Sequence, residues 1–240
     1  YDNDCDDSDH SDGVDAADLR LATMSTGELL DELRSPIGTR RDLAQQLIVE
    51  RYDDAVTPKL VAMAGSDDSP VARVHAISIL DVVDRLDAEL LGQVLDSEHA
   101  GLLMVAIGLC EQRLNQHPEL LEGLAKTARH SDPRVVLRTA LALGQVGSSR
   151  AGEILAEIAI DRELDTWLVR ALSSSATPHA AIILDRLLPA LGDRKEAIPA
   201  ELVTDLLLTL RHGGVDIVGR YGNLFAKEDR DFLNQIRLAG

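Results

Sequence analysis

Aromatic residues are scarce in this chain: three Tyr, two Phe and one Trp make up 2% of its 240 residues. Cysteine is scarcer still, with only Cys5 and Cys110, too few for a disulfide framework. Basic residues are outnumbered, 24 Lys and Arg facing 41 Asp and Glu for a net charge of -17. Neutralising phosphate needs a basic face, so the charge argues against nucleic-acid binding. No apolar run approaches the ~20 residues that span a bilayer, and no leader pattern opens the chain. Membrane insertion is therefore not expected. Alternating apolar and polar stretches between Asn-Gly or Asp-Gly turns are missing, which removes the usual signal for strands. So are Gly-x-Ser-x-Gly, the glycine-lysine phosphate loop and Cys-x-x-Cys-His, which leaves no nucleophile elbow, no nucleotide cradle and no site for covalent haem.

What remains is aliphatic and unevenly charged. Hydrophobic residues reach 45%, enough to bury a core, and almost all are Leu, Ile, Val and Ala. Residues 1–18 hold eight Asp and no Lys or Arg, close to half of the whole imbalance. Such a block repels itself, so residues 1–21 are read as an acidic, flexible tail or linker. Asp4, Asp6, Asp7 and Asp9 are its weak candidates for a cation site. A calcium loop starting at Asp2 fails, because Asp7 stands where glycine is needed and Gly13 where glutamate is needed. The chain begins with Tyr1 instead of methionine, which is read as the sign of a piece of something longer.

From Ser25 onward, apolar stretches of helical length alternate with short polar turns. Ser25 to Glu28 and Thr39 to Asp42 have capping-box spacing. Thr57-Pro58, Ser69-Pro70, Asp132-Pro133 and Thr177-Pro178 each place a capping residue before a helix-starting proline. Helices are predicted near 26–34, 40–52, 57–65, 70–84, 88–95, 98–114, 118–130, 133–146, 150–160, 165–174, 178–191, 199–211, 214–224 and 227–238. The fold class is all-α.

The helices also repeat. Small residues recur at Ala44, Ala76, Ala106, Ala140 and Ala171, and arginines at Arg41, Arg73, Arg138 and Arg170. The alanine intervals lie near 32 residues, one supersecondary unit each, and the arginine spacing doubles to 65 across the central unit, where Met104 and Val105 stand. A small side chain at every period lets two helices approach closely, and the aliphatic stripe seals one pair onto the next. Cys110 and His75 lie inside apolar runs and are expected to be packed. Trp167 is expected to pack in the core or between repeats, in preference to stacking on a ligand.

The pattern Asp-x-x-Val-Arg-x-x-Ala, seen around Asp68 to Ala76 and Asp132 to Ala140, is similar to HEAT repeats. The resemblance implies a right-handed α-α superhelix of HEAT-like helix pairs over residues 22–190, with 191–240 capping or extending it. It also implies a polar ladder between units, with Asp68 matched to Arg73, Asp132 to Arg138 and Asp165 to Arg170. The order of segments from STGELLDELRSPIGTRRDLAQQLIVER through HPELLEGLAKTARHSDPRVVLRTALALGQVG to DTWLVRALSSS resembles one block in particular. That block is the middle segment of planctomycete-type propeller–HEAT–cytochrome c proteins, which carry a sugar-dehydrogenase-like propeller and a haem domain on either side. The resemblance implies a non-catalytic interaction or spacer module without a cofactor of its own, in an exported or periplasmic redox protein. Its partners would be proteins or neighbouring domains of the same polypeptide. The alternative is a lyase or chaperone-like protein on a HEAT scaffold, which needs a reactive Cys, His or acid cluster facing the groove.

Overall fold

The computed structural model describes residues 20–194 and 198–225, and these form helices with no strand among them. The acidic tail with Asp4, Asp6, Asp7 and Asp9, and the helix predicted at 227–238, lie outside the described residues. The chain divides into two compact units between Arg85 and Leu86. That division falls inside the span read from sequence as one solenoid.

The first unit contains α1 (Thr26–Glu32), α2 (Gly38–Glu50), a short 3-10 turn (Asp54–Val56), α3 (Thr57–Ser66) and α4 (Pro70–Val82). Ser25 starts α1 with a complete capping box, its hydroxyl accepting from the Glu28 amide while the Glu28 carboxylate accepts from the Ser25 amide. Ser69 caps α4 by accepting from the Ala72 amide, with Pro70 in the first turn. The box expected at Thr39 does not form, because α2 begins at Gly38, two residues before the predicted start, behind Ile37, which has no side chain able to cap. Asp84, at φ 57°, takes the left-handed turn that ends α4. Helices α1 and α2 pack together, as do α3 and α4, and α2 lies against α4. Ala44 and Ala76 are fully buried, beside Ile48, Ile77 and Leu80.

The second unit repeats the same device at greater length. It contains α5 (Ala88–Val94), α6 (Ala100–Glu111), α7 (Leu120–Thr127), α8 (Pro133–Leu143), α9 (Ser149–Asp161), α10 (Thr166–Ser174), α11 (Ala180–Arg194), α12 (Ala200–His212) and α13 (Ile217–Phe225). Two rows result: α5, α7, α9 and α11 pack in succession, and so do α6, α8, α10 and α12, with α13 against α12. This is an α-solenoid stack. Proline after Asp132 starts α8 as expected, whereas α11 begins at Ala180 and not at Pro178. There the amides of both His179 and Ala180 bond to the Ala176 carbonyl, so a turn precedes the helix.

Small residues set the spacing within both rows. Ala106, Ala140 and Ala171 are 0%, 0% and 4% exposed on the second row. On the first row, a Cβ added to Gly123 of α7 would lie 2.6 Å from the Leu95 side chain that follows α5. Interhelix approach of this kind leaves little room for rings, which explains the low aromatic content. Buried polar groups are mostly paired: the hydroxyls of Thr127 and Thr139 bond at 2.8 Å, and the Ser175 hydroxyl donates to the Ala140 carbonyl.

Candidate functional site

The expected acid–arginine pairs do not form; each arginine has another partner. Arg73 donates to the Ala64 carbonyl at 2.8 Å, near the end of α3, and Arg41 donates to the Ser35 carbonyl at 2.7 Å. Arg138 pairs with Glu111 at 3.1 Å across α6 and α8, over the backbone of Gly108. Arg170 lies 5.8 Å from the centre of the Trp167 ring. Asp132 is taken by Arg134, whose guanidinium and amide hold its carboxyl down at about 2. Asp165 caps α10 through the Leu168 amide. The reason is angular. Arg41 and Arg73 each stand three residues before the buried alanine of their helix, but Arg138 stands two before Ala140 and Arg170 one before Ala171. One residue turns a helical side chain by about 100°, so the four arginines do not share a face.

A ladder between repeats exists elsewhere. In the second unit, the His130 ring donates through Nε2 to the Glu98 carbonyl, and Arg162 donates to the His130 carbonyl at 2.9 Å, two rungs 32 residues apart. The Asp132 amide can only donate, so His130 Nδ1 accepts from it and Nε2 carries the proton. Along the first row, Lys126 pairs with Asp96, Arg150 with Glu122, Arg129 with Glu157, and Arg186 with Glu153. Arg150 also reaches Glu153 and Glu157, which joins α7, α9 and α11 in one network. Its bond to Glu122 lowers the titration of that carboxyl. Exposed pairs are each worth only about 0–1 kcal/mol, so the network fixes register more than it adds stability.

Trp167 is not in the core. It is 67% exposed at the start of α10, with Arg170 over one face of the ring. Beside it, a hollow of about 170 Å³ lies between α8 and α10, with Pro133, Leu137 and Leu168 as its apolar wall and Glu163 and Asp165 on its rim. A wider hollow of about 530 Å³, reaching Val136 and Asp161, adjoins it. Trp167 and this groove are what the sequence pattern did not reveal. The signal that could have found them is the position of the Trp two residues after the capping Asp165, outside the aliphatic stripe of Leu168, Val169 and Leu172.

Cys110 and His75 are packed, as expected from the apolar runs that hold them. Cys110 is fully buried on α6, and burial pushes its thiol up to about 12, so no reactive thiolate is offered to the surface. His75 bonds Gln45 through Nδ1 at 2.6 Å and accepts from Arg41 at Nε2; burial, and then Arg41, lower its pKa. Ser173 donates to Asp205 at 2.6 Å, Ser174 to its own helix, and Ser175 to Ala140. No group of three or more potential metal ligands occurs among the described residues, and none of their helices is long and apolar enough to cross a membrane.

Residues 88–176 match the family model of HEAT repeats. The matched span runs from α5 through α10 and ends just beyond the Trp167 groove. No curated protein matches the chain. The protein contains a HEAT-like domain, and HEAT repeats are characteristic of interaction and scaffold modules.

Proposed function

We propose that this chain is a non-catalytic interaction or spacer module, and that the second-row face of its second unit is where a protein partner docks. The observation carrying this reading is the exposure of Trp167 beside an apolar groove, within helices that match HEAT repeats. Exposed tryptophan is a costly surface choice and is enriched among residues that anchor interfaces. A stack of helix pairs presents such a row as an extended surface without needing a cofactor. The parent protein is proposed to be an exported propeller–HEAT–cytochrome c type, with haem and any redox chemistry in flanking domains. That part is supported by the resemblance across residues 22–190. Sequencing the flanking gene tests it: a propeller upstream and Cys-x-x-Cys-His downstream are expected, and a free-standing gene contradicts it.

Photo-cross-linking tests the docking face. A benzoylphenylalanine placed at position 167, and separately at Lys126 on the exposed first row, is irradiated in extract of the producing cells. Discrete adducts from position 167 and none from position 126 are expected. No adduct at 167, or the same adducts from both positions, overturns the reading.

A further inference from the structure

The groove between α8 and α10 has an apolar wall and an acidic rim, and its charges are not balanced from within. Arg134 is exposed at one edge but is held by the Asp132 carboxylate through several hydrogen bonds. Arg162 lines the adjoining wider hollow and donates to the His130 carbonyl, and Arg170 sits on the Trp167 ring. Among the described residues no Lys or Arg lies within pairing distance of Glu163 or Asp165. Both carboxylates are exposed at the mouth of the hollow formed by Pro133, Leu137 and Leu168. The single bond given to Asp165 caps α10 through one carboxylate oxygen and leaves its charge in place.

The hollow of about 170 Å³ is smaller than the ~300–1,000 Å³ of sites that take a whole small molecule. It suits one side chain. A wall of aliphatic and proline carbons with carboxylates at the rim matches a side chain that is apolar along its stem and cationic at its tip.

We infer that the groove beside Trp167 receives an arginine or lysine side chain from an extended segment of a partner protein, its stem on Pro133, Leu137 and Leu168 and its charge between Glu163 and Asp165. The inference rests on the docking reading above and narrows it to one chemistry. Net charge of -17 supports it at longer range, since an acidic chain attracts basic segments and holds them less well as salt rises.

Trp167 is the sole tryptophan, so its fluorescence reports on this groove alone. The probes are three five-residue peptides with two leucines flanking a central arginine, glutamine or glutamate, titrated at low and at physiological salt. The arginine peptide is expected to give a saturable change in emission, at least about tenfold tighter than the other two and weakened by salt. The double variant Glu163→Gln, Asp165→Asn keeps an acceptor for the α10 cap and removes both charges. With its helical circular dichroism unchanged, it is expected to lose about tenfold in affinity for the arginine peptide and nothing for the glutamine peptide. No saturable change with the arginine peptide, or unchanged affinity in the folded double variant, overturns the inference. Tighter binding of the glutamate peptide also overturns it, and adducts at position 167 would then keep the docking face with a different partner chemistry.

Discussion

Replacing Gly144 with valine is expected to lower the melting temperature by several degrees, while Gly147→Ala leaves it nearly unchanged. Gly144 closes α8, where the end of α10 passes directly over it. A Cβ there would stand 2.6 Å from both the Cβ and the hydroxyl of Ser175, and 2.8 Å from the Ser175 Cα. Rotation of the Ser175 side chain could relieve only the hydroxyl clash; its Cβ and Cα move only with the backbone, so one helix end must move. Overpacking of this kind costs about 1–3 kcal/mol. Moving Ser175 would also strain its bond to the Ala140 carbonyl, which ties α10 to the buried alanine of α8. At Gly147, four residues beyond the end of α8, nothing lies within 4 Å of an added Cβ. Differential scanning calorimetry of both variants checks the pair. Adding Ser175→Gly to the Gly144 variant is expected to recover only part of the loss, because the clash with the backbone of residue 175 stays. Equal melting temperatures for Gly144→Val and Gly147→Ala would show that the two helix ends do not approach closely.

Stability is expected to fall as pH drops from 7.5 to 5.0, through two buried histidines. His179 is 1% exposed, donates through Nε2 to the Leu143 carbonyl, and has no hydrogen-bond partner for Nδ1, which lies beside Gly152. Burial lowers its pKa, and burial followed by Arg41 lowers that of His75. A histidine with a depressed folded value takes up its proton first in the unfolded chain. Its contribution is therefore intact above the unfolded value of 6.5 and is lost as pH falls from there toward the folded value. The limiting slope is about 1.4 kcal/mol per pH unit for each group. Carboxylates do not mask the effect. Glu32, Glu122 and Asp132 are held below unfolded values of 4.5, 4.5 and 3.8, so they begin to lose stability only at lower pH. Urea unfolding at several pH values reads the slope. The double variant His75→Gln, His179→Gln is expected to flatten it between pH 7 and 5, and a slope that persists in that variant contradicts the assignment.

Much of the fold was legible because its signals are local. A capping side chain before a proline, as at Ser69 and Asp132, sets a helix start without reference to anything distant. The recurrence of Ala44, Ala76, Ala106, Ala140 and Ala171 also reports a property of each helix on its own, the need for one small point of approach. The arginine ladder was illegible for the opposite reason. Its spacing of 32 residues held between Arg138 and Arg170, but the alanines there are 31 apart, and one residue of slip turns the side chain to another face. The rungs that do form join residues 28 to 33 apart on the first row and its turns, as in Glu122 with Arg150 and Glu153 with Arg186. They show in sequence as an acid and a base about one repeat apart, in either order, a weak pattern in a chain with 41 acids. Trp167 was misplaced because a lone aromatic in an aliphatic chain suggests a core. Its neighbours Leu168, Val169 and Leu172 already fill the buried stripe of α10, which turns the ring outward.

The exposure of Trp167 is the point on which the docking face depends, and one measurement reads it directly. Fluorescence of the free protein excited at its only tryptophan is expected to show the red-shifted emission of a solvated indole, quenched by acrylamide nearly as efficiently as a free tryptophan derivative. A blue-shifted emission that resists quenching would place the ring in the core and remove the groove as a docking site.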